Sequence, residues 1–267
     1  MKSLFSVLFA VLVFSFPGKA VLAQGDGLPN RALDEEGPHS KMDPSYSDQW
    51  GRPSEGINGL PIREARVLKK GILAPSAGDR IAFAEFLRRP NTGLIRLLPR
   101  EVYDSETTHT KSPLSIRGGG AYYSFATLTH VYGYGSDIEL SRYAFSVGFA
   151  GADYGMLTML GDVPLDQVSE EDPRTQFLKS YRPPAPEHLA RAEARRFRLR
   201  GGVTLDGLNY QSRQPAFENW TYLLRSISYG RSDVLVAFRV VRKDGNGSMI
   251  IAWKLLKQYR VPMFARR

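Results

Sequence analysis

Residues 222–256 read YLLRSISYGRSDVLVAFRVVRKDGNGSMIIAWKLL. They hold three apolar runs, Tyr222–Tyr229, Val234–Val241 and Met249–Leu256, separated by Gly230–Asp233 and Asp244–Gly247. β-Branched and aromatic side chains suit a pleated surface, and Gly and Asn tolerate the positive backbone angles that hairpin turns need. The stretch therefore predicts an antiparallel meander. Closing the second turn with two or four residues sets Phe238 opposite Trp253, Val240 opposite Ile251 and Val236 opposite Leu255, one shared face that we read as core. The opposite face carries Leu235, Ala237, Arg239, Ala252 and Lys254 and is expected to be half covered. At the first turn an even loop would put Arg225 on the core face and an odd loop Leu224. Burying an unpartnered charge is costly, so the odd loop is expected.

Working outward, strand-like runs recur at Gly93–Leu98, Ala121–Val131, Ala144–Phe149 and Gly155–Leu160, and Phe197–Tyr210 reads as a hairpin around Asp206-Gly207. One helix is expected between Ser76 and Pro90, capped by Ser76 or Asp79. A second starts at Pro186 and runs through Glu187–Arg196, with a thin apolar face that places it on the surface. The fold class is mainly β (a β-rich α+β domain), an antiparallel sandwich or distorted barrel over residues 62–262 with one or two peripheral helices. A basic tail, 263–267, follows.

The amino-terminal end concerns location. Met1-Lys2 precede an apolar run, Leu4–Phe16, which Pro17-Gly18 break before Val21-Leu22-Ala23. That layout is a secretory signal, 1–23, cut after Ala23, and the run is too short for a spanning helix. A Pro/Gly-rich linker, 24–61, has too few aliphatics to offset its ordering entropy. The chain has no cysteine, which excludes thiol catalysis, thiolate metal sites and disulfides and fits a bacterial periplasmic or secreted product. No transmembrane span is expected after cleavage.

The formal charge is +9, and Lys2 and Lys19 belong to the leader. Residues 214–267 carry ten Lys/Arg against Glu218, Asp233 and Asp244, whereas 101–172 carry eleven acids against Lys111, Arg117 and Arg142. The basic half suits an anionic surface. The basic residues are nevertheless spread along strands, which also fits an ordinary solvated face, and no nucleic-acid partner is expected.

No motif names a reaction. Asp244, Asn246 and Ser248 are spaced like the start of a calcium loop, but Met249 and Leu255 stand where that loop needs Gly and Glu. Asn219-Trp220-Thr221 and Asn246-Gly247-Ser248 match the short glycan-acceptor pattern. Arg117-Gly118-Gly119-Gly120 precedes a strand rather than a helix, so it lacks the amino-terminal amides of a phosphate loop. His39, His109, His130 and His188 have no paired ligand spacing, and there is no nucleophile elbow. Neither a metal nor a cofactor is expected. A lipid-facing barrel is disfavoured because 234–241 and 249–256 are apolar on much of both faces.

The densest polar and aromatic stretch is 117–162. If a site lies there, Tyr122, Tyr132 and Tyr134 would stack on a carbohydrate or other polar ligand while Arg117, His130 and Asp137 orient it. On strict alternation Tyr122, His130, Tyr132 and Tyr134 share a face. The plainer alternative is a β core filled with tyrosines. The leading expectation is a secreted non-enzymatic binding or envelope-interaction domain. The alternatives are a polysaccharide hydrolase using a carboxylate pair such as Asp137 and Glu139 and electrostatic attachment to anionic surfaces.

Overall fold

The structure, a computed structural model, describes residues 72–101, 118–133, 135–149 and 151–265. The expected leader, the linker, Arg117 and Tyr134 lie outside the described residues.

The meander forms as expected and organises the molecule. Strands β9 (Thr221–Ser228), β10 (Ser232–Lys243) and β11 (Met249–Gln258) pair in sequence. Phe238 faces Trp253, Val240 faces Ile251 and Val236 faces Leu255. The route to that register differs from the expected one. Lys243 pairs with Met249, so five residues close the turn, and a one-residue bulge at Val241 restores the pairing. The first turn has three residues between Ser228 and Ser232, an odd loop, and Leu224 faces Val236.

Two early strands flank the meander. β1 (Thr92–Leu97) pairs with β11 and β5 (Tyr154–Gly161) with β9, all antiparallel, giving the order β1-β11-β10-β9-β5. A smaller sheet joins β2 (Tyr122–Tyr123), β3 (Ile138–Ser141), β4 (Ala144–Ser146) and β8 (Arg213–Pro215). The core between the sheets includes Ile138, Leu140, Phe145, Leu224, Phe238 and Trp253. Aromatic edges lock it: Tyr222 stacks on Phe238 at 4.9 Å, and Phe145 meets both rings edge-on. The fold is thus a two-sheet sandwich.

The other face of the large sheet is also buried. Leu235, Ala237 and Ala252 are at most 1% exposed and pack with Tyr154, Leu178 and Phe197. The cover comes from a short helix α3 (Gln176–Ser180) and from α4 (Glu187–Leu199). The α4 stripe Ala190, Ala194 and Phe197 sits at i, i+4 and i+7, so the helix is docked on the sheet rather than lying loose on the surface. At the other end Ser76 caps α1 (Ala77–Ala82): its hydroxyl accepts from the Asp79 amide and Asp79 bonds back to the Ser76 amide. Phe83 breaks the expected single helix into α1 and α2 (Ala84–Leu87).

Two expected strands change extent. Of Ala121–Val131 only Tyr122–Tyr123 is strand; Asp137 takes the Phe125 amide and Leu128 has φ +56°, so the chain turns back on itself. The hairpin at Asp206-Gly207 forms, from β6 (Val203–Leu205) and β7 (Leu208–Tyr210) with both turn residues at positive φ, while 197–199 belong to α4.

Gly93 lies directly opposite Trp253, and a β-carbon added there would stand 2.5 Å from the indole. Gly93→Ala is therefore expected to cost about 1–3 kcal/mol in urea unfolding, as the ring must leave its seat. A change under about 0.5 kcal/mol would mean that the indole is not packed on the strand backbone.

Candidate functional site

Two regions bear on function. The first is the segment singled out in the sequence. Tyr122 and Tyr132 meet with ring centroids 4.5 Å apart, and Phe149 contacts both. Tyr122 is buried and donates to Glu139 Oε1 at 3.2 Å; Arg100 donates to the same oxygen at 2.8 Å. Burial and the Glu139 charge push the Tyr122 phenol well above its ordinary pKa. Tyr132, Phe149 and Arg100 of this cluster are half-buried.

His130 and Asp137 go elsewhere. His130 is 4% exposed, with Nε2 3.0 Å from the Arg96 carbonyl and its ring edge-on to Tyr123. Asp137 is fully buried and accepts from the Phe125 amide at 2.7 Å and from the Ser124 hydroxyl at 3.3 Å. Burial pushes its carboxyl up to about 6, against the pull of hydrogen bonding from Ser226 and the Phe125 amide. The Asp137 Oδ1 atom has no hydrogen bond of good geometry. After Tyr123 the chain leaves the strand for turns at 125–128 and 132–133 and an isolated Ser124–Thr129 bridge, so strict alternation does not apply and Tyr122, His130 and Tyr132 do not share a strand face. Asp137 and Glu139 are both buried in separate networks rather than set across an open cleft. The glycine turn 118–120 is buried too: a β-carbon on Gly120 would meet Leu73 at 2.4 Å, which leaves no room for a phosphate.

The second region lies where β11 leaves the sheet. A cavity of about 690 Å³ opens between α3, the segment leading to α4, and the chain after β11. Its cationic lining is Lys179, Arg182, Arg225, Lys257 and Arg260, and Asp233 is its one carboxylate among the described residues. Arg225, 1% exposed, grips Asp233 through two bonds of 2.8 Å, Nε to Oδ1 and Nη2 to Oδ2. Its Nη1 donates to the carbonyls of Leu178 and Tyr181, and the guanidinium lies 3.6 Å from the Tyr259 ring centroid. The pair is diagonal across β9–β10, since Arg225 faces Leu235 and Asp233 faces Ile227.

The remaining cations are less committed. Lys257 and Lys179 share Glu170, at 2.5 and 3.5 Å, and the Lys257 bond holds the Glu170 carboxyl below its usual range. Arg182 and Arg260 are exposed, and among the described residues neither pairs with a carboxylate. Counting Lys179, Lys257, Arg182 and Arg260 against Glu170, and Arg225 against Asp233, leaves a net +3 around the cavity. Pro183, Ala185, Val261, Pro262 and Met263 supply an apolar wall.

Such a lining can neutralise and orient an anion. The lining described has no imidazole, and its carboxylate is fully engaged by Arg225. Sequence reasoning located the basic carboxy-terminal half without this cavity. Arg225 and Asp233 follow from the odd-loop register, whereas Lys179 and Arg182 come from a segment with no periodic signal. No group of three His, Asp or Glu among the described residues is placed to hold a metal, and no helix among them is long and apolar enough to cross a membrane. No family model, curated protein or solved structure matches this chain, and its reading rests on its own residues.

Proposed function

We propose that this protein is a non-enzymatic binding domain that works outside the cytoplasm and takes an anionic ligand in the cavity beside β11. The supporting observation is a concave site with net positive charge whose single wall carboxylate is neutralised by Arg225. Clefts of one sign concentrate the opposite charge, and Arg presents a planar fork suited to carboxylate and phosphate. The leader-like segment at 1–23 supports the compartment.

Inorganic pyrophosphate is a suitable probe. It should raise the melting temperature of the protein and give a saturable calorimetric isotherm. Reversing the two exposed cations together, Arg182→Glu with Arg260→Glu, should weaken that binding at least about tenfold while the unliganded melting temperature stays near the parent value. Equal binding by parent and variant would place the anion site elsewhere, and absence of binding by the parent would remove this reading.

A further inference from the structure

We infer that the anion held by this cavity is the phosphate of an anionic lipid, and that the segment Arg260–Ala265 docks the protein on an anionic bilayer. The inference rests on the cavity reading above and adds the source of the anion.

The segment is pinned rather than frayed. The Gly230 amide donates to the Pro262 carbonyl at 2.9 Å, and the Ala265 amide donates to the Ala185 carbonyl at 2.9 Å. Between these anchors Phe264 stacks on Tyr229, with centroids 4.2 Å apart and planes within 12°. Met263, held on both sides, is nevertheless 67% exposed. Fixed there by its own backbone, the side chain keeps its apolar surface in solvent, available to a second apolar surface.

Charge says what that surface is. Met263 lines the same cavity as the exposed Arg260 and Arg182. A phosphate seated among the cations would therefore carry its apolar remainder past Met263. One protruding methionine is far too small for a stable protein–protein interface of about 1,000 Å² or more. An apolar side chain and several cations lining one cavity instead suit interfacial attachment, where each Lys or Arg near an anionic surface and each buried methylene adds a modest increment. A soluble anion would use the cations alone, whereas a lipid would use Met263 as well.

The test is vesicle co-sedimentation of the processed protein recovered from an exporting host. Vesicles of phosphatidylcholine with about 30 mol% phosphatidylglycerol are compared with pure phosphatidylcholine. The protein should pellet with the anionic vesicles alone, and lose at least about tenfold in affinity between roughly 50 and 500 mM salt. Met263→Gln, which adds no charge, should lose about tenfold in vesicle binding; Arg182→Glu should lose about fivefold in both vesicle and pyrophosphate binding. Pyrophosphate should release bound protein from the vesicles. Pyrophosphate binding without vesicle binding, or equal pelleting with neutral vesicles, overturns the lipid inference and leaves the cavity reading standing. Vesicle binding unchanged by Met263→Gln overturns the docking role of Met263. Failure to bind either probe overturns both readings.

Discussion

Arg225→Met should destabilise the protein by about 3–5 kcal/mol in urea unfolding, a larger loss than any exposed ion pair here would give. The reason is what remains behind. Asp233 is 1% exposed and both of its carboxylate oxygens bond only to Arg225 among the contacts described above. Without the guanidinium, a buried carboxylate loses its counter-charge, and the Leu178 and Tyr181 carbonyls lose a donor. Asp233→Leu alone should also be severe, because it strands the cation. The double variant Arg225→Met/Asp233→Leu should recover much of the loss, since a buried pair repays little beyond its desolvation. A double-mutant cycle reads this directly. Additive losses, or a single-variant loss below about 1 kcal/mol, would show that the two side chains are solvated and uncoupled.

The second large effect is a pH dependence of unusual sign. Asp137 has a folded pKa of about 6, against about 3.9 in an unfolded chain. The folded state therefore binds the proton more tightly. Its contribution is fully present below about pH 4 and is lost as pH rises through about 6, in total about 3 kcal/mol. Other carboxylates act in the opposite sense: Asp79, Glu101, Asp172 and Asp244 are held below their usual values by hydrogen bonds and neighbouring arginines, and they lose stability as pH falls. Asp153, pushed up to about 6 by burial, adds to the Asp137 trend with a discount for its partial exposure. The clean measurement is thus the difference between parent and Asp137→Asn. Asparagine keeps an acceptor for the Phe125 amide and cannot ionise. The stability of the parent relative to the variant should fall by about 3 kcal/mol between pH 4 and pH 7. A flat difference would mean that Asp137 ionises in the folded protein as easily as in water.

The meander was legible because burial enforces it. Three cross-strand pairs, Phe238–Trp253, Val240–Ile251 and Val236–Leu255, follow from the spacing of apolar side chains, and a one-residue slip would turn every one of them to the wrong face. The turn itself was less legible. Its five residues and the Val241 bulge cancel, and the apolar pattern reports only their sum. The odd first turn was expected because Arg225 would otherwise face the core unpartnered. The structure buries Arg225 all the same, on the other face, since α3 and α4 cover that side and Asp233 meets it diagonally. The half-covered face expected on that side is seen at Arg239 and Lys254, which are half-buried, whereas Leu235, Ala237 and Ala252 are sealed by Leu165, Val168 and Leu178 together with Ala194 and Phe197 of α4.

The candidate site was less legible still. The aromatic density of 117–137 is real, yet His130 and Asp137 serve turn geometry there, satisfying the Arg96 carbonyl and the Phe125 amide. Composition does not separate a hydrogen bond that closes a turn from one that holds a ligand. The cavity beside β11 joins Lys179 and Arg182 to Lys257 and Arg260, and such juxtapositions of distant segments leave no periodic trace.

The wiring of the large sheet bears on when the chain can fold. Its two early strands, β1 and β5, sit at opposite borders and pair within this sheet only with β11 and β9, which come later in the chain. β5 has no template in this sheet until β9 has been made, and β1 none until β11 has been made, so the contacts that must close are long in sequence and slow. A chain wired in this way leaves its first two sheet strands without partners in this sheet until the meander has been made, so the sheet closes from its middle outward.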